Sequence, residues 1–455
     1  MKLLLFMLAL TLSLNASVLS VDKNLTLDEA IEILKQDNLE IKSAQLELQS
    51  TQAKTDQVSG MNWGSLDLVL NAANSNDAGN AFGFKLTSRQ ASFGDLGFSD
   101  FNSKIPPNQQ LNTKPNDLNN PGSTNFFQTK LEYTLPIYVG GKISSYTNIS
   151  RSMEKMQHLE TDKTINTKIY ETRKAFYDMA LLEQAISNLN TINENIKMLE
   201  ETTDFMINEG YAKRIDLLEV QAKRSNVERK LNEMHANKTL LYSYLSFLLN
   251  QEVKQITPPN SVVQQNMLST HEILARNIDV KRAETGLEIR KEMVDASYSG
   301  YLPTVGLKAN VQSAATDLDD YKMIDNGSYT AGIQLKWNLF NGGSDSNRVQ
   351  EAKINALKTK TQVELAKKGI SLQVDKIRTE IASLDFEIES LSKELELSTE
   401  IYKNYEERYK EQLSSMNDLI IKQSIQIEKV LALLEAQNRR NERVFALEKL
   451  ANGAI

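Results

Sequence analysis

The sequence predicts a mainly α protein with a small β part, arranged as an internal two-fold repeat. Two segments carry nearly the same pattern, YTLPIYVGGK at 133–142 and LKWNLFNGGS at 335–344. In each, an alternating strand pattern ends at a Gly-Gly pair and passes into a long helical pattern. Asp216-Leu217-Leu218 and Asp418-Leu419-Ile420 are separated by the same number of residues as the two Gly-Gly pairs. A constant separation of this kind indicates duplicated units of strands and helices.

The repeat pattern divides the chain into a first repeat at 21–250, a linker at 251–266 that contains Pro258-Pro259, and a second repeat at 267–455. The first repeat carries a long inserted loop at 74–125, rich in Asn, Gly, Ser and Pro. Five phenylalanines lie in it: Phe82, Phe84, Phe93, Phe98 and Phe101. We expect an ordered surface loop whose phenylalanines pack on each other, and the alternative is a cap or a receptor surface.

The first residues read as a secretory signal peptide, 1–20. Lys2 provides the positive start, Leu3–Leu14 the apolar core, and small residues follow up to Ser20. The chain contains no cysteine, which excludes disulfides and a lipid-modified N-terminal cysteine. After the signal, no window approaches the ~20 apolar residues of a membrane helix, so a spanning element would have to be a β-barrel.

The charge pattern argues against several function classes. The net charge is −7, and the 59 acidic and 52 basic residues are interleaved without the basic stripe that tracks a phosphate backbone, so we expect no nucleic-acid partner. The three histidines are far apart, and Gly140-Gly141-Lys142 lacks the preceding glycine of a phosphate loop. We therefore predict that the protein is not an enzyme and has no catalytic site, metal site or cofactor.

Four segments alternate with period two, as strands with one apolar and one polar face do. They are Leu66–Leu70, Phe127–Leu135, Val305–Val311 and Ile333–Leu339, so that each half offers one hairpin. The predicted helices are Leu27–Ser59, Ser144–Asn208, Ile215–Leu249, Thr270–Ser297, Asp345–Glu411 and Asn417–Leu450. Thr26 with Glu29, and Ser269 with Glu272, have the spacing of capping boxes. The two longest helices would each extend on the order of 100 Å.

A four-stranded sheet with one apolar face cannot lie in a bilayer alone, because the backbone groups of its two edges would be unpaired at several kcal/mol each. Three chains would close a 12-stranded barrel, an even number found in bacterial outer membranes. The polar set would line a wet lumen: Asp67, Lys130, Glu132, Lys308 and Lys336. Backbone freedom at the junctions with the helices would come from Gly140, Gly141, Gly342 and Gly343. The expected molecule is an elongated trimer whose shared transmembrane barrel continues as a helical barrel. A soluble sandwich layered on the helices is the alternative.

These motifs together resemble the TolC-type outer-membrane efflux proteins. The resemblance rests on the signal peptide, the duplicated helix that begins Asn38-Leu39-Glu40 and Asn277-Ile278-Asp279, Tyr301-Leu302-Pro303-Thr304 before a strand, and the Gly-Gly junctions. It implies a homotrimeric exit duct in the lipid of a Gram-negative outer membrane, with its α-barrel in the periplasm. The implied partners are a periplasmic adaptor (membrane fusion protein) and an inner-membrane transporter of the RND, ABC or MFS type, as in tripartite efflux or type I secretion.

The resemblance also implies a gate at the turns Glu209–Asp216 and Glu411–Asp418. Asp216 and Asp418 resemble the family's aperture aspartates, and Tyr409 resembles a tyrosine that bonds across to the first turn. The sequence departs from the family at Gln412, which stands where Gly210 lies in the first half, at Ser414 in place of a lock arginine, and at Ile421 in place of a second acidic residue.

Two functions of other classes stay open at this point. A soluble periplasmic coiled-coil scaffold or adaptor would place polar residues on both faces of the strands. An outer-membrane receptor would use the loop at 74–125, and shortening that loop would abolish its function while efflux persisted.

Overall fold

The chain consists mainly of long helices, with one small sheet. A computed structural model describes residues 24–259, 263–265, 268–317, 319 and 327–452, and the predicted signal peptide lies outside these ranges. In chain order the elements are α1 (Leu27–Asp37), α2 (Leu39–Gly60), β1 (Ser65–Ser75), α3 (Ala78–Thr87), α4 (Pro107–Gln110), α5 (Asn116–Asn119), β2 (Thr124–Val139), α6 (Lys142–Asn208), α7 (Arg214–Leu249), α8 (Thr270–Arg276), α9 (Ile278–Ser297), β3 (Thr304–Ala315), β4 (Gly327–Lys336), α10 (Ser344–Lys410) and α11 (Met416–Leu450).

The two halves of the chain contain the same order of elements. In each half, two helices precede two strands, a helix of 67 residues and a helix of 36 or 35 residues. Thr26 and Ser269 form the predicted capping boxes with Glu29 and Glu272. The mainly α fold class with its four-stranded sheet is confirmed, while the boundaries of the two repeats stay a prediction.

The predicted helix Leu27–Ser59 is wrong in one respect, because it breaks at Asn38. This residue has an extended backbone, with φ −63° and ψ 126°. Its side-chain oxygen accepts the N–H of Ile41 at 2.9 Å, and its amide nitrogen donates to the carbonyl of Leu248 at 2.7 Å. An asparagine side chain competes with helical backbone bonds in this way and favours caps. The apolar periodicity continues through the break, so periodicity alone could not reveal it.

The second half breaks at the corresponding residue, Asn277. The predicted helix Thr270–Ser297 therefore ends at Arg276 and restarts at Ile278. The Asn277 side chain accepts the N–H of Val280 at 3.0 Å and donates to the carbonyl of Leu450 at 2.9 Å. Both asparagines are thus buried caps that also satisfy a carbonyl at the end of a neighbouring helix.

One of two compact units is helical and comprises the described residues of 24–49, 155–284 and 361–452. Apolar side chains fill the spaces between its helices, and Phe176 of α6 is fully buried beside Leu34 of α1 and Leu245 of α7. A second cluster joins Leu189 of α6 to Leu419 of α11. The linker contributes a short parallel bridge between Leu25 and Ile256, and its other described residues form no helix or strand.

The other unit comprises Ser50–Glu154 and Thr285–Lys360 and contains the sheet. Its four strands are antiparallel in the order β1-β2-β3-β4. The predicted strand Ile333–Leu339 is shifted, because β4 ends at Lys336 opposite Thr304. Pro303 precedes Thr304 and has no N–H with which to continue the ladder. The Trp337 side chain instead donates its N–H to the carbonyl of Tyr301 at 3.0 Å.

The helices differ from membrane-spanning helices in composition. No helix in the described part of the chain is both long enough and apolar enough to cross a membrane.

Candidate functional site

The sheet separates polar from apolar side chains by face. Opposed residues of neighbouring strands share a face, and the faces alternate along each strand. Asp67 lies opposite Glu132, Thr134 opposite Lys308, and Thr304 opposite Lys336. All five predicted lumen residues consequently lie on one face: Asp67, Lys130, Glu132, Lys308 and Lys336.

Hydrogen bonds run across the polar face from strand to strand. The Asn71 amide donates to Gln128 at 2.8 Å, and the Gln128 amide donates to Gln312 at 2.9 Å, which links β1, β2 and β3. Lys130 forms an ion pair with Glu132 on the same face. This face therefore holds its polar groups in an ordered network.

The opposite face exposes apolar side chains across the whole width of the sheet. One row runs through Leu68, Leu131, Val311 and Tyr329, which lie opposite one another in register. Their exposed fractions are 65%, 44%, 60% and 82%. A continuous exposed apolar surface of this extent is typical of a face that contacts another protein or a membrane.

Exposed aromatic residues lie where the strands meet the helices. Trp63 precedes β1, Tyr138 is near the end of β2, and Trp337 and Phe340 follow β4. The Tyr133 hydroxyl donates to the carbonyl of Trp63 at 2.8 Å. Aromatic girdles of this kind flank the apolar band of membrane barrels, because such rings have an apolar body and a polar edge.

The four predicted junction glycines all adopt positive φ, from 56° at Gly342 to 81° at Gly343, with Gly140 and Gly141 at 64° and 75°. A left-handed backbone favours glycine over any residue with a Cβ. At Gly140 space is also short, since a Cβ would lie 2.8 Å from the carbonyl oxygen of Ser299. At Gly141 and Gly342 nothing lies within 4 Å of an added Cβ, so glycine is favoured there only by the positive φ.

Gly64 is a further junction residue that the sequence analysis missed. Its φ is 71°, and a Cβ there would lie 2.0 Å from the carbonyl oxygen of Thr134. It stands directly before β1, where the backbone of β2 passes closest. A glycine at the start of an alternating strand pattern is the sequence signal that could have found it.

The predicted gate aspartates both cap helices. The carboxylate of Asp216 accepts the N–H of Lys213 at 2.8 Å at the start of α7. Asp418 occupies the same place in α11, where its carboxylate accepts the Ser415 hydroxyl at 2.6 Å. Both carboxylates lie near helix N-termini, where the helix dipole favours negative charge.

Tyr409 reaches from α10 to α6. Its side chain is buried, and its hydroxyl lies 3.5 Å from that of Thr203. Burial raises the pKa of Tyr409, and the negative charge of Asp216 raises it further, while the Thr203 contact lowers it. Among the described contacts, Tyr409 thus meets Thr203, whereas Asp216 meets Lys213. The roles of Asp216, Tyr409 and Asp418 in a gate stay predictions.

The second turn keeps the backbone geometry of the first despite its different sequence. Gln412 has a φ of 61°, and Gly210 at the equivalent place has a φ of 81°. The Ser414 hydroxyl donates to the carbonyl of Tyr405 at 3.3 Å, so it closes the turn locally. Gln412 tolerates a left-handed conformation that costs a non-glycine residue about 1 kcal/mol.

No chemical centre is apparent in the parts of the chain that the structure covers. Within them, no group of three or more His, Cys, Asp or Glu side chains is placed to hold a metal ion. His158 pairs with Asp162 one helical turn away, and His235 and His271 are exposed. The surfaces described above are therefore the candidates for function.

Comparison with protein families gives a match to the second half of the chain. The sequence model of the family described as Outer membrane efflux protein matches residues 270–453. The predicted resemblance to outer membrane efflux proteins is confirmed. The match covers α8 to α11 with the hairpin of β3 and β4.

Solved structures of outer membrane channels have the same fold. The CmeC outer membrane channel of Campylobacter jejuni aligns with a TM-score of 0.75 over 94% of this chain and 86% of its own, at 14% identity. VceC, an outer membrane protein of Vibrio cholerae, aligns with a TM-score of 0.74 over 94% and 96%, at 16% identity. The open state of the Neisseria gonorrhoeae MtrE outer membrane channel has a TM-score of 0.74 over 94% and 89%, at 16% identity.

These structural likenesses show the fold of the chain alone. No curated protein matches the chain in sequence. At identities below 20% the structural matches carry over neither a solute nor a partner. The surfaces of this chain therefore carry the indications of its function.

Proposed function

We propose that the protein is the outer-membrane exit duct of a tripartite efflux or type I secretion system. The observation that carries this proposal is the two-faced sheet. One face exposes a row of apolar side chains that includes Leu68, Val311 and Tyr329, and the other holds the charged groups. Lipid on the first side and water on the second would satisfy both faces.

The sheet needs other copies of itself to lie in a bilayer. Within the described residues, the outer edges of β1 and β4 pair with no strand. Unpaired edge groups in hydrocarbon cost several kcal/mol each, so the edges must close against neighbours. The strands have 10 to 16 residues, and a tilted membrane strand needs about 9 to 11. A homotrimer would supply twelve strands, an even number.

The helices would continue the lumen into the periplasm of a Gram-negative cell. There the turns between α6 and α7, and between α10 and α11, would meet the periplasmic adaptor. An inner-membrane transporter of the RND, ABC or MFS type would deliver the solute, which would leave between the polar faces that carry Lys130, Lys308 and Lys336. In such a duct the transporter, rather than the lumen, selects the solute.

The native mass of the protein tests this proposal. We would separate inner and outer membranes, extract the protein in mild detergent and measure its mass, then add the purified protein to planar bilayers. A trimer from the outer membrane that conducts ions would support the duct. A monomer in the soluble periplasm would refute it and favour the scaffold. A trimer that never conducts would favour a receptor that uses the loop at 74–125.

We further propose that Tyr409, with Asp216, helps to hold the periplasmic aperture closed. Two observations support this proposal. The hydroxyl of Tyr409 on α10 contacts that of Thr203 on α6, and the negative charge of Asp216 raises the pKa of Tyr409. We expect Asp216→Ala combined with Tyr409→Phe to raise the conductance of the closed channel severalfold, because the contact of Tyr409 with Thr203 and the bond by which Asp216 fixes its own turn are both lost. Single-channel recording in bilayers would measure it.

Tyr402→Phe is the matched control for this lock. Tyr402 is also buried on α10, but its hydroxyl contacts Gln423 of α11 at 3.4 Å, away from the first turn. A closed conductance that stays at the wild-type value in the double variant, or rises equally in the control, would contradict the lock.

A ring of three Asp418 carboxylates is expected to attract multivalent cations at the aperture. Asp418 is exposed at the start of α11, and like charges around a narrow mouth focus the potential. Asp418→Asn should therefore raise the concentration of hexamminecobalt(III) that blocks the channel about tenfold, or about 1.4 kcal/mol. Glu389→Gln removes the same charge from an exposed site within α10 and should leave the block unchanged. Equal block of wild type and Asp418→Asn would rule out the ring.

A further inference from the structure

The inserted segment between β1 and β2 folds onto the sheet. Its first helix, α3, is preceded by Asp77, whose carboxylate accepts the N–H of Asn80 at 3.0 Å and so caps the helix. Ala81 and Ser88 of this segment are fully buried. They lie on one side of the helix together with Phe84, since residues three, four and seven positions apart share a helix face. This buried side faces the sheet.

The face that α3 covers is the polar one. Phe84 stacks on Phe126 of β2, with ring centroids 4.4 Å apart and planes inclined by 13°. Phe126 lies two and four residues from Gln128 and Lys130, so it is on their face of the sheet. It lies opposite Ala73 near the end of β1, and it is 8% exposed. The side chains that would line the lumen are therefore covered by α3 at the hairpin end.

Polar contacts anchor both the helix and the segment that follows it. The Gln90 side chain accepts the N–H of Thr316, just beyond β3, at 2.9 Å. Lys85 of α3 pairs with Asp95 at 2.5 Å. Bonds from Lys85 and Ser92 lower the pKa of Asp95 to about 2, so the carboxylate is charged near neutral pH. The insert is therefore attached to the sheet at two strands.

The turn beyond Asp95 is fixed by close packing. Gly97 has a φ of 85°, and a Cβ there would lie 2.1 Å from the ring of Pro115. Asp100 accepts the N–H of Asn116 at 2.6 Å, which joins the turn to α5. The predicted packing of phenylalanines on each other holds for Phe93 and Phe98, whose centroids are 5.7 Å apart.

From this placement we infer that α3 of each subunit stands inside the outer mouth of the lumen and nearly closes it. This inference rests on the proposed duct. Twelve strands about 4.8 Å apart and tilted by about 40° enclose a backbone ring about 24 Å across. Three parallel helices in contact, each about 10 Å across, need a circle about 22 Å across. The inward side chains of the strands narrow this backbone ring further, so three copies of α3 on the inner wall would fill the opening.

The consequence is a second constriction, at the hairpin end of the sheet. Solutes would pass only as far as the three helices separate, so the insert limits the size of what leaves. The stacked pair Phe84 and Phe126 holds each helix against the wall, and loosening this pair would alter the opening.

The test compares channel conductance with and without the insert. We would replace residues 77–122 by Asn-Gly, a favourable two-residue hairpin turn, and keep the pair Ser75 and Thr124. The periplasmic aperture is in series with the insert, so both chains carry Asp216→Ala and Tyr409→Phe, and the shortened trimer is expected to conduct at least about threefold more than the trimer that keeps the insert. Phe84→Ala should raise the conductance or its fluctuations. Phe93→Ala is the control, because Phe93 lies in the same insert and is 77% exposed, and it should change neither.

A second measurement does not depend on conductance. The chain has no cysteine, so Leu86→Cys places a single thiol on the exposed side of α3. We expect a short bismaleimide to link the subunits of the trimer through this position. Shortened trimers that conduct no more than trimers with the insert when both carry the opened aperture, together with uncrosslinked Leu86→Cys trimers, would overturn the inference and leave the duct intact. A wild-type protein that forms neither trimers nor pores would overturn the proposed function and this inference with it.

Discussion

Replacing Ile333 by arginine is expected to abolish assembly of the protein in the outer membrane. Ile333 lies on the apolar face of β4, opposite Leu307, and is 70% exposed. An arginine on the lipid side of a barrel strand costs up to about 2–4 kcal/mol, depending on its depth, and a trimer would carry three of them. Because all three charges must enter hydrocarbon together, the penalty should prevent the trimer from accumulating. Native mass after detergent extraction of outer membranes measures this loss.

Gln334→Arg provides the matched control. Gln334 is the next residue of the same strand, lies opposite Gly306 and is on the polar face. An arginine there would point into water, so we expect trimers at the wild-type level with an altered conductance. Assembly of both variants would mean that the apolar face does not contact lipid. If neither variant assembles, β4 tolerates arginine on neither face, and the result contradicts lipid on one face and water on the other.

Gly64→Ala is expected to destabilise the assembled protein by about 3 kcal/mol or more. The backbone alone, at φ 71° and ψ −159°, is in a region almost confined to glycine and costs alanine about 1–3 kcal/mol. The larger penalty is steric, since the new Cβ would lie 2.0 Å from the carbonyl oxygen of Thr134 and 3.0 Å from the Cα of Leu135. These are backbone atoms of β2, so relief would require breaking the pair Ser65 and Thr134.

The measurement is the temperature at which the trimer dissociates in detergent. Gly342→Ala serves as the comparison, because its φ is 56° but nothing lies within 4 Å of the added Cβ. We expect a small fall for Gly342→Ala and a large fall, or no trimer, for Gly64→Ala. Equal dissociation temperatures would mean that the strand pair shifts to accommodate the methyl group.

The sequence predicts the elements of this fold well because its patterns are long and duplicated. A 67-residue helix without proline, or a strand with strict alternation, leaves few alternative structures. The exact ends of helices and strands are harder to predict, because side chains there compete with the backbone for hydrogen bonds. Asn38 and Asn277 interrupt helices whose apolar period continues past them, and the end of β4 depends on Pro303, which precedes β3. Such ends are decided by contacts between segments that are distant in sequence.

The candidate site was predictable to a similar extent. The face of Asp67, Lys130 and Glu132 follows from alternation, which the register of the sheet bears out. The partner of Tyr409 depends on how α6 and α10 align, so the motif alone could not identify Thr203. Likewise, the stack of Phe84 on Phe126 joins residues on either side of a long insert, and no pattern within the insert specifies it.

The equal lengths of α6 and α10 restrict how such a chain can diverge. Thr203 lies near the end of one 67-residue helix and meets Tyr409 near the end of the other. Inserting one residue upstream in α6 alone would turn Thr203 by about 100° and move it by about 1.5 Å along the axis, out of reach of its partner. Substitutions can accumulate independently in the two halves, but insertions must occur in matched pairs. The tip of the hairpin of β1 and β2 lies outside these helices, and there the chain carries a folded segment without changing the length of α6 or α10.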